Sequence, residues 1–253
     1  VTLGLFLIAL TFLEGCGGNG KWTETLSEKV QTADAGNMAF EECFLPGIVK
    51  EAGKTVKETA LKVASVRPKV KGIFVTGPMA GSSNMEELIR LVDETELNAI
   101  VLDMKNDEGR VVYDMQIPAV LETGAGIRYI RDMESLVREC KEKNIYLIAR
   151  IVAFKDPYLA EAKPEWCIRN PDGSIFRDKS GLAWINPYNR EVWDYLLDIG
   201  EEALSLGFDE VQFDYIRFST DSGMKDVDFG QEENEADRQK VILEFIKYAS
   251  DRI

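Results

Sequence analysis

The chain repeats one pattern four times, a short and nearly continuous apolar run followed by an amphipathic segment at helical spacing. The runs are Ile73–Val75, Ala99–Met104, Ile145–Phe154 and Val211–Phe218. They are too continuous for strands with one wet face and suit a parallel sheet covered by helices. After the first run Thr76-Gly77-Pro78 reads as a turn, and Ser83 with Glu86 reads as a capping box. Met85, Leu88, Ile89 and Val92 then share one helical face. The second helix is expected to start near Asp132, turn Met133, Leu136, Val137 and Cys140 inward, and stop at Lys143-Asn144. The third, capped by Asn189, carries Val192, Leu196, Ile199 and Ala203 before Gly207. The fourth runs from about Ala236, with Val241, Ile242, Phe245 and Ala249 inward.

Consecutive βα units of this kind build either an open doubly wound sheet or part of an eightfold barrel. The turn after the first strand lacks a Gly-rich phosphate fingerprint, and the long excursions follow strand ends. Both favour an α/β fold of the (β/α)8 TIM-barrel type, of which the chain carries about the first four units. Four units leave two strand edges unpaired, so the remaining units are expected beyond Ile253.

Upstream, Leu3 to Leu13 is apolar but too short to span a bilayer comfortably, like the core of a secretory signal. Leu13-Glu14-Gly15-Cys16 then reads as a lipobox, with Cys16 as the lipidated residue and a membrane anchor as the result. Glu14 and the lack of Lys or Arg before the run depart from that pattern, and an ordinary cleaved signal or a membrane anchor is the alternative. The resulting division is a leader at 1–16, a spacer with some helix at 17–70, and the barrel half at 71–253. Every one of these readings takes the protein out of the cytoplasm. A net charge of -14, from 30 basic and 44 acidic residues with no basic run to offset it, opposes nucleic acid, anionic lipid headgroups and acidic polymers as partners. Cys16, Cys43, Cys140 and Cys167 are scattered and form no CxxC pair, which argues against a disulfide scaffold or a metal site.

The chain has no histidine. Ser-His-Asp triads, Cys-His pairs and the usual zinc sites are therefore excluded, and acid-base work falls on carboxylates, Lys, Tyr or Cys. Glycosidic bond cleavage needs only carboxylates, with no cofactor and no metal. In a barrel the reacting groups stand at the C-terminal ends of strands. Those ends supply Asp103, then Lys105, Asn106 and Asp107; Arg150, then Asp156; and Asp214, then Tyr215 and Arg217. Asp214 shares a strand face with Gln212 between Val211 and Phe213, which predicts a buried carboxylate with a functional task. Asp103 with Arg150 predicts a charged floor, equally suited to binding a sugar hydroxyl and to structural ion pairing. Asp107, Glu108 and Asp156 read as structural salt bridges or a solvated rim.

The connection from Lys155 to Asn189 is far longer than an ordinary βα loop and reads as a lid, small subdomain or binding loop. Asn170-Pro171-Asp172-Gly173 marks a hairpin turn inside it. Trp166, Trp184 and Tyr188 offer flat faces to sugar rings, although Trp166 equally suits the subdomain's own core. Trp184 and Asn186, with Asp103, Arg150, Tyr215 and Arg217, are the expected substrate contacts, and Asp214 the expected catalytic group.

Gly72-Ile73-Phe74-Val75-Thr76, Asn98-Ala99-Ile100-Val101-Leu102-Asp103-Met104-Lys105, Trp184-Ile185-Asn186-Pro187 and Phe213-Asp214-Tyr215-Ile216-Arg217-Phe218 together resemble a glycosyl hydrolase-type domain of bacterial surface proteins. That family has no assigned function and is grouped with (β/α)8 glycosidases near the α-amylases. The resemblance covers residues 70 to 253, the N-terminal half of the domain. It implies that Asp214 holds the nucleophile's position, that a glutamate ending strand five is the acid-base, and that the excursion after strand three is similar to the extra domain amylases carry there. This chain has Gln212 where the amylase pattern has arginine, and lacks the histidines that surround the sugar, so α-glucan specificity is not implied. The leading expectation is a surface-bound, retaining glycoside hydrolase acting on an extracellular or wall polysaccharide. A carbohydrate-binding lipoprotein without catalysis is the competing expectation, and the residue ending strand five separates the two.

Overall fold

Strand β2, Ala99–Lys105, is built from β-branched and aliphatic residues on both faces and is buried almost throughout. It lies between β1, Gly72–Val75, and β3, Tyr146–Val152, and β3 pairs in turn with β4, Glu210–Asp214. All three pairings are parallel and the spatial order is β1-β2-β3-β4. Right-handed crossovers between strands in sequential order put every connecting helix on one side of the sheet. This is the singly wound arrangement of a βα barrel, and the doubly wound alternative, which reverses its strand order, falls. The computed structural model describes residues 69–231 and 234–253. The leader, Cys16 and nearly all of the 17–70 spacer lie outside the described residues.

The connecting segments are α1, Gly77–Ala80; α2, Asn84–Glu94; α3, Pro118–Thr123; α4, Met133–Glu142; α5, Pro157–Ala162; α6, Arg190–Leu206; and α7, Glu235–Arg252. The sheet's outer face, with Val75, Ile100, Leu102, Met104, Leu147, Ala149 and Ile151, is closed off from solvent. Helix α4 packs on β3, α6 on β3 and β4, and α7 on α6. Met133, Leu136, Val137 and Cys140 face inward from α4, and Val192, Leu196, Ile199 and Ala203 from α6, as their spacing requires. Asp132 and Asn189 cap these two helices through their side chains. Gly207, at φ +109, ends α6 by donating its N–H back to Ala203 and Leu204. Phe245 joins α7 to the sheet, meeting Phe154 at 5.1 Å and both Trp193 and Phe213 at 5.5 Å. Burying a ring of this size stabilises by about 1.5–3 kcal/mol, and truncating it to alanine costs about 3–5 kcal/mol.

Several local expectations are corrected. Thr76-Gly77-Pro78 opens the one-turn helix α1 instead of a turn. Ser83 has helical backbone angles (φ -61, ψ -16), so its hydroxyl makes no cap and the capping box is absent. Ser82 accepts from the Asn84 N–H in its place, at 3.3 Å. The third and fourth strands end at Val152 and Asp214, short of Phe154 and Phe218. Phe74 is 53% exposed because it sits on the sheet's inner face, and four strands supply only part of the side-chain layers that fill a barrel.

Within the long excursion, short antiparallel bridges join Cys167 to Ile185, Arg169 to Ile175 and Arg177 to Ala183. Asn170 to Gly173 turns as its sequence predicts, with Gly173 at φ +84. Trp166, Ile168, Phe176 and Trp184 are buried within this subdomain.

Candidate active site

Register places Asp103 beside Arg150, Arg150 beside Gln212, and Val152 beside Asp214. With the period-two alternation of strands, Asp103, Arg150 and Asp214 all project from the inner face at its C-terminal end. The Arg150 guanidinium gathers them. Its Nη1 donates to Asp103 Oδ1 at 2.7 Å, and its Nε and Nη2 donate to Asp214 Oδ2 at 3.1 and 2.8 Å. The Phe74 ring lies 5.3 Å from the guanidinium carbon.

The two strand-end carboxylates are electrostatically unlike. The Asp103 side chain is 4% exposed and that of Asp214 is 40% exposed. Burial pushes the Asp103 carboxyl up, and the bond and charge of Arg150 offset this only in part. For Asp214, burial is opposed by Arg150, by the Tyr215 N–H at 2.7 Å and by the charge of Arg217, and the net effect holds it below the usual carboxylate range. Arg150 is likewise opposed by burial, but its hydrogen bonds to Asp103 and Asp214 raise its pKa. Asp214 is therefore the ionised and partly open member of the set. The expectation of a buried Asp214 is corrected: β4 lies at the sheet's edge with its inner face open, and Gln212 is exposed.

Tyr215 occupies the left-handed region at φ +54, which few non-glycine residues adopt. This bends the chain off β4 and turns the Tyr215 N–H onto the neighbouring carboxylate. Phe154 N–H holds the bend by donating to the Tyr215 carbonyl at 3.3 Å.

Asp107 forms the ion pairs its sequence reading allowed, and they bring it into the cluster. Its Oδ2 lies 3.3 Å from Arg150 Nη2 and its Oδ1 3.7 Å from Lys155 Nζ, with the side chain 46% exposed. Asp156 is a structural ion-pair member, as expected, but a fully buried one. It meets Lys105 Nζ at 2.7 Å, both side chains being 0% exposed, and its Oδ1 caps α5 at Leu159 N–H. Lys105 also donates to the Val152 carbonyl at 2.6 Å, so one ammonium ties the end of β2 to the end of β3. In sequence Lys105 stands at the end of strand two and Lys155 at the start of the long connection, with no role assigned to either. Lys155 stands directly after the third apolar run, whereas a register shift between Asp103 and Lys105 breaks the alternation and hides the place of Lys105.

Trp184 does not offer an open face to a sugar in this structure. It is 2% exposed, its Nε1 donates to Asp178 Oδ2 at 3.0 Å, and Tyr215 meets it edge-on at 6.1 Å. Asn186 is spent on the backbone, donating to the Phe229 carbonyl and accepting from the Tyr188 N–H. Trp166 is a core residue bonded to Glu191, and Tyr188 packs on Phe218 and Phe229. Tyr215 and Arg217 stand at the rim beside Asp214. Among the described residues no group of three or more His, Cys, Asp or Glu is arranged to hold a metal ion, and the three clustered carboxylates surround a guanidinium.

Residues 72–253 match a domain family described as "Putative glycosyl hydrolase domain". The crystal structure of a hypothetical protein from Ruminiclostridium thermocellum ATCC 27405 is similar over 72% of this chain and 92% of that one, with 38% sequence identity and a TM-score of 0.65. An alpha-galactosidase from Thermus thermophilus, solved in complex with stachyose, shares the fold at 13% identity and a TM-score of 0.50. The match covers 74% of this chain but only 39% of that enzyme. No curated protein sequence matches. The alpha-galactosidase shares the fold, and the four parallel βα units in sequential order are consistent with a portion of a (β/α)8 barrel. The chain belongs to the glycosyl hydrolase-type domain family whose model spans residues 72–253.

Proposed function

We propose that this domain is the N-terminal half-barrel of an exported, lipid-anchored glycoside hydrolase that cleaves an extracellular or wall polysaccharide with retention. Asp214 is the nucleophile in this reading, and the acid-base carboxylate ends the strand that follows β4. The observation that carries it is the state of Asp214, a carboxylate at a strand's C-terminal end, open to solvent on one side and held ionised by Arg150. Oδ2 takes both Arg150 bonds, which fixes the carboxylate plane, while Oδ1 accepts one N–H and keeps lone-pair capacity to attack the anomeric carbon. The leaving oxygen takes a proton from the acid-base group as the glycosyl ester forms. Water then cleaves the ester with that same group acting as base.

Arg150 also answers the departure at Gln212. Where the amylase pattern places arginine two residues before the nucleophile, this chain brings a guanidinium from the adjacent strand, in register with Gln212. Asp103, pushed toward its protonated form beneath the guanidinium, serves as the floor that positions Arg150.

The test is Asp214→Asn in the full-length protein. Asparagine is nearly isosteric but forms no glycosyl ester, so kcat is expected to fall by roughly 10⁴-fold with sugar binding and fold retained. Near-native hydrolysis by this variant would remove the nucleophile assignment and make Asp103 the next candidate. A wild-type protein that binds glycans yet cleaves none of a broad polysaccharide panel is the non-catalytic binding protein instead.

A further inference from the structure

The rim beside Asp214 carries two cations organised by aromatic rings. The Arg217 guanidinium carbon lies 5.1 Å from the Trp184 ring centroid and 5.2 Å from that of Tyr215. Those rings are themselves held, Trp184 by its bond to Asp178 and Tyr215 by its edge-on contact with Trp184. A guanidinium held against two rings loses less freedom on binding a ligand than a free one. Arg217 Nη1 donates to the Phe218 carbonyl at 3.1 Å, and among the described residues no carboxylate lies within ion-pair distance of Arg217. Its Nε and Nη2 remain to be used. Lys155 Nζ sits 4.5 Å from the same Tyr215 ring, and its contact with Asp107, at 3.7 Å, is long for an ion pair.

The charges are thus sorted. Asp103, Asp107 and Asp214 converge on Arg150, whereas among the described residues Arg217 has no carboxylate within ion-pair distance and Lys155 has Asp107 at 3.7 Å, in a chain whose net charge is -14. The hydroxyls of a neutral sugar accept from such a fork only as uncharged partners, through bonds about half as strong. A planar carboxylate matches it in bidentate fashion.

We propose that the saccharide bound at this rim carries an acidic group, a uronate carboxylate, taken by Arg217 with Lys155 as a second, point-like cation. The inference rests on the reading of the site as carbohydrate-binding and adds the class of sugar. Sulfate esters share the ligand chemistry, and the experiment separates the two.

Affinity electrophoresis of the full-length protein compares gels containing polygalacturonate or alginate, carboxyl-reduced polygalacturonate, a sulfated galactan, and a neutral galactan. An acidic protein gains nothing from unspecific contact with polyanions, so retardation reports the site. Retardation by a uronan is expected, at least about tenfold weaker with the carboxyl-reduced polymer. Arg217→Gln is expected to remove that preference, Arg217→Lys to restore only part of it for want of the planar fork, and Lys155→Gln to weaken it separately. Equal binding of native and carboxyl-reduced polymer, or an equal loss for acidic and neutral polymers in Arg217→Gln and Lys155→Gln, overturns the inference while leaving the carbohydrate site standing. Retardation by the sulfated galactan and by no uronan overturns the uronate in favour of a sulfate ester. Binding to no polysaccharide overturns both the inference and the reading beneath it.

Discussion

Replacing Arg150 by methionine keeps the unbranched bulk and removes the charge on which the cluster converges. Among the described residues Arg150 is the hydrogen-bond partner of the Asp103 carboxylate, and the two side chains are 10% and 4% exposed. Removing one member of a buried pair leaves the other charge uncompensated, at a cost of about 3–5 kcal/mol. Asp214 and Asp107, at 40% and 46% exposed, stay hydrated and add about 0–1 kcal/mol between them. Protonation of Asp103 limits the total, so about 3 kcal/mol at pH 7 is the expected loss. With urea slopes of about 1–3 kcal/mol/M, the unfolding midpoint falls by roughly 1–3 M.

The pH dependence identifies the mechanism. The folded-state pKa of Asp103 already lies above its unfolded value, and losing Arg150 raises it further. Folded protein then binds a proton that the unfolded chain has released, so stability declines as pH rises from the unfolded value through the folded one, by up to about 1.4 kcal/mol per pH unit. Because its Asp103 pKa is raised further than that of wild type, the variant should lie further below wild type at pH 7 than at pH 5. Asp214 contributes with the opposite sign. Its folded pKa is lowered, so its stabilisation is complete above the unfolded value and is lost only as pH falls through the folded one, below the window compared. Adding Asp103→Asn to Arg150→Met removes the stranded charge and should recover more than about 1 kcal/mol at pH 7. Urea melts of the single and double variants at the two pH values decide the matter. A loss equal at pH 5 and 7, or a double variant no more stable than Arg150→Met, would refute the stranded-carboxylate account.

Gly109→Ala should unfold the loop after β2: at φ +84 the new Cβ is strained, and it would lie 1.9 Å from Asp156 Oδ1, against the buried Lys105–Asp156 pair. A loss of more than about 2 kcal/mol in urea melts is expected, and a near-neutral variant would show that the loop moves away without disturbing the pair. Lipidation at Cys16, part of the proposed reading, is checked by mass spectrometry of the mature N-terminus. An unmodified thiol at Cys16 or a free N-terminus elsewhere would withdraw the anchor.

Elements that depend on one periodicity were legible from the sequence, while features that depend on two strands meeting were not. The four apolar runs and the inward faces of α4 and α6 follow from spacing alone, and the structure places Val137, Cys140, Leu196 and Ile199 where that spacing puts them. The Asp103–Arg150 pair was legible for the same reason, since both residues interrupt apolar strands near their ends. Burial of Asp214 was misjudged because Val211 and Phe213 report only the outer face of β4, and Gln212 and Asp214 lie on the inner face at the sheet's edge. Trp184 was misjudged in the other direction. Its exposure depends on Asp178 and Tyr215, which reach it from a hairpin turn and from the end of β4.

Tyr215 links these cases. An apolar run from Val211 to Phe218 looks like one long strand, and nothing in its composition marks the residue that leaves it. The end of the strand is set by hydrogen bonds from elsewhere, Ala153 N–H to the Asp214 carbonyl and Phe154 N–H to that of Tyr215. A left-handed non-glycine residue costs about 1–3 kcal/mol and persists only where its surroundings impose it. Here the same bend supplies the N–H on Asp214 Oδ1, brings the Tyr215 ring against Trp184 and Lys155, and carries Arg217 to the rim. The local rule that the sequence breaks is therefore broken where the nucleophile of the proposed reaction, the stacked cations and the end of the strand all depend on one backbone angle.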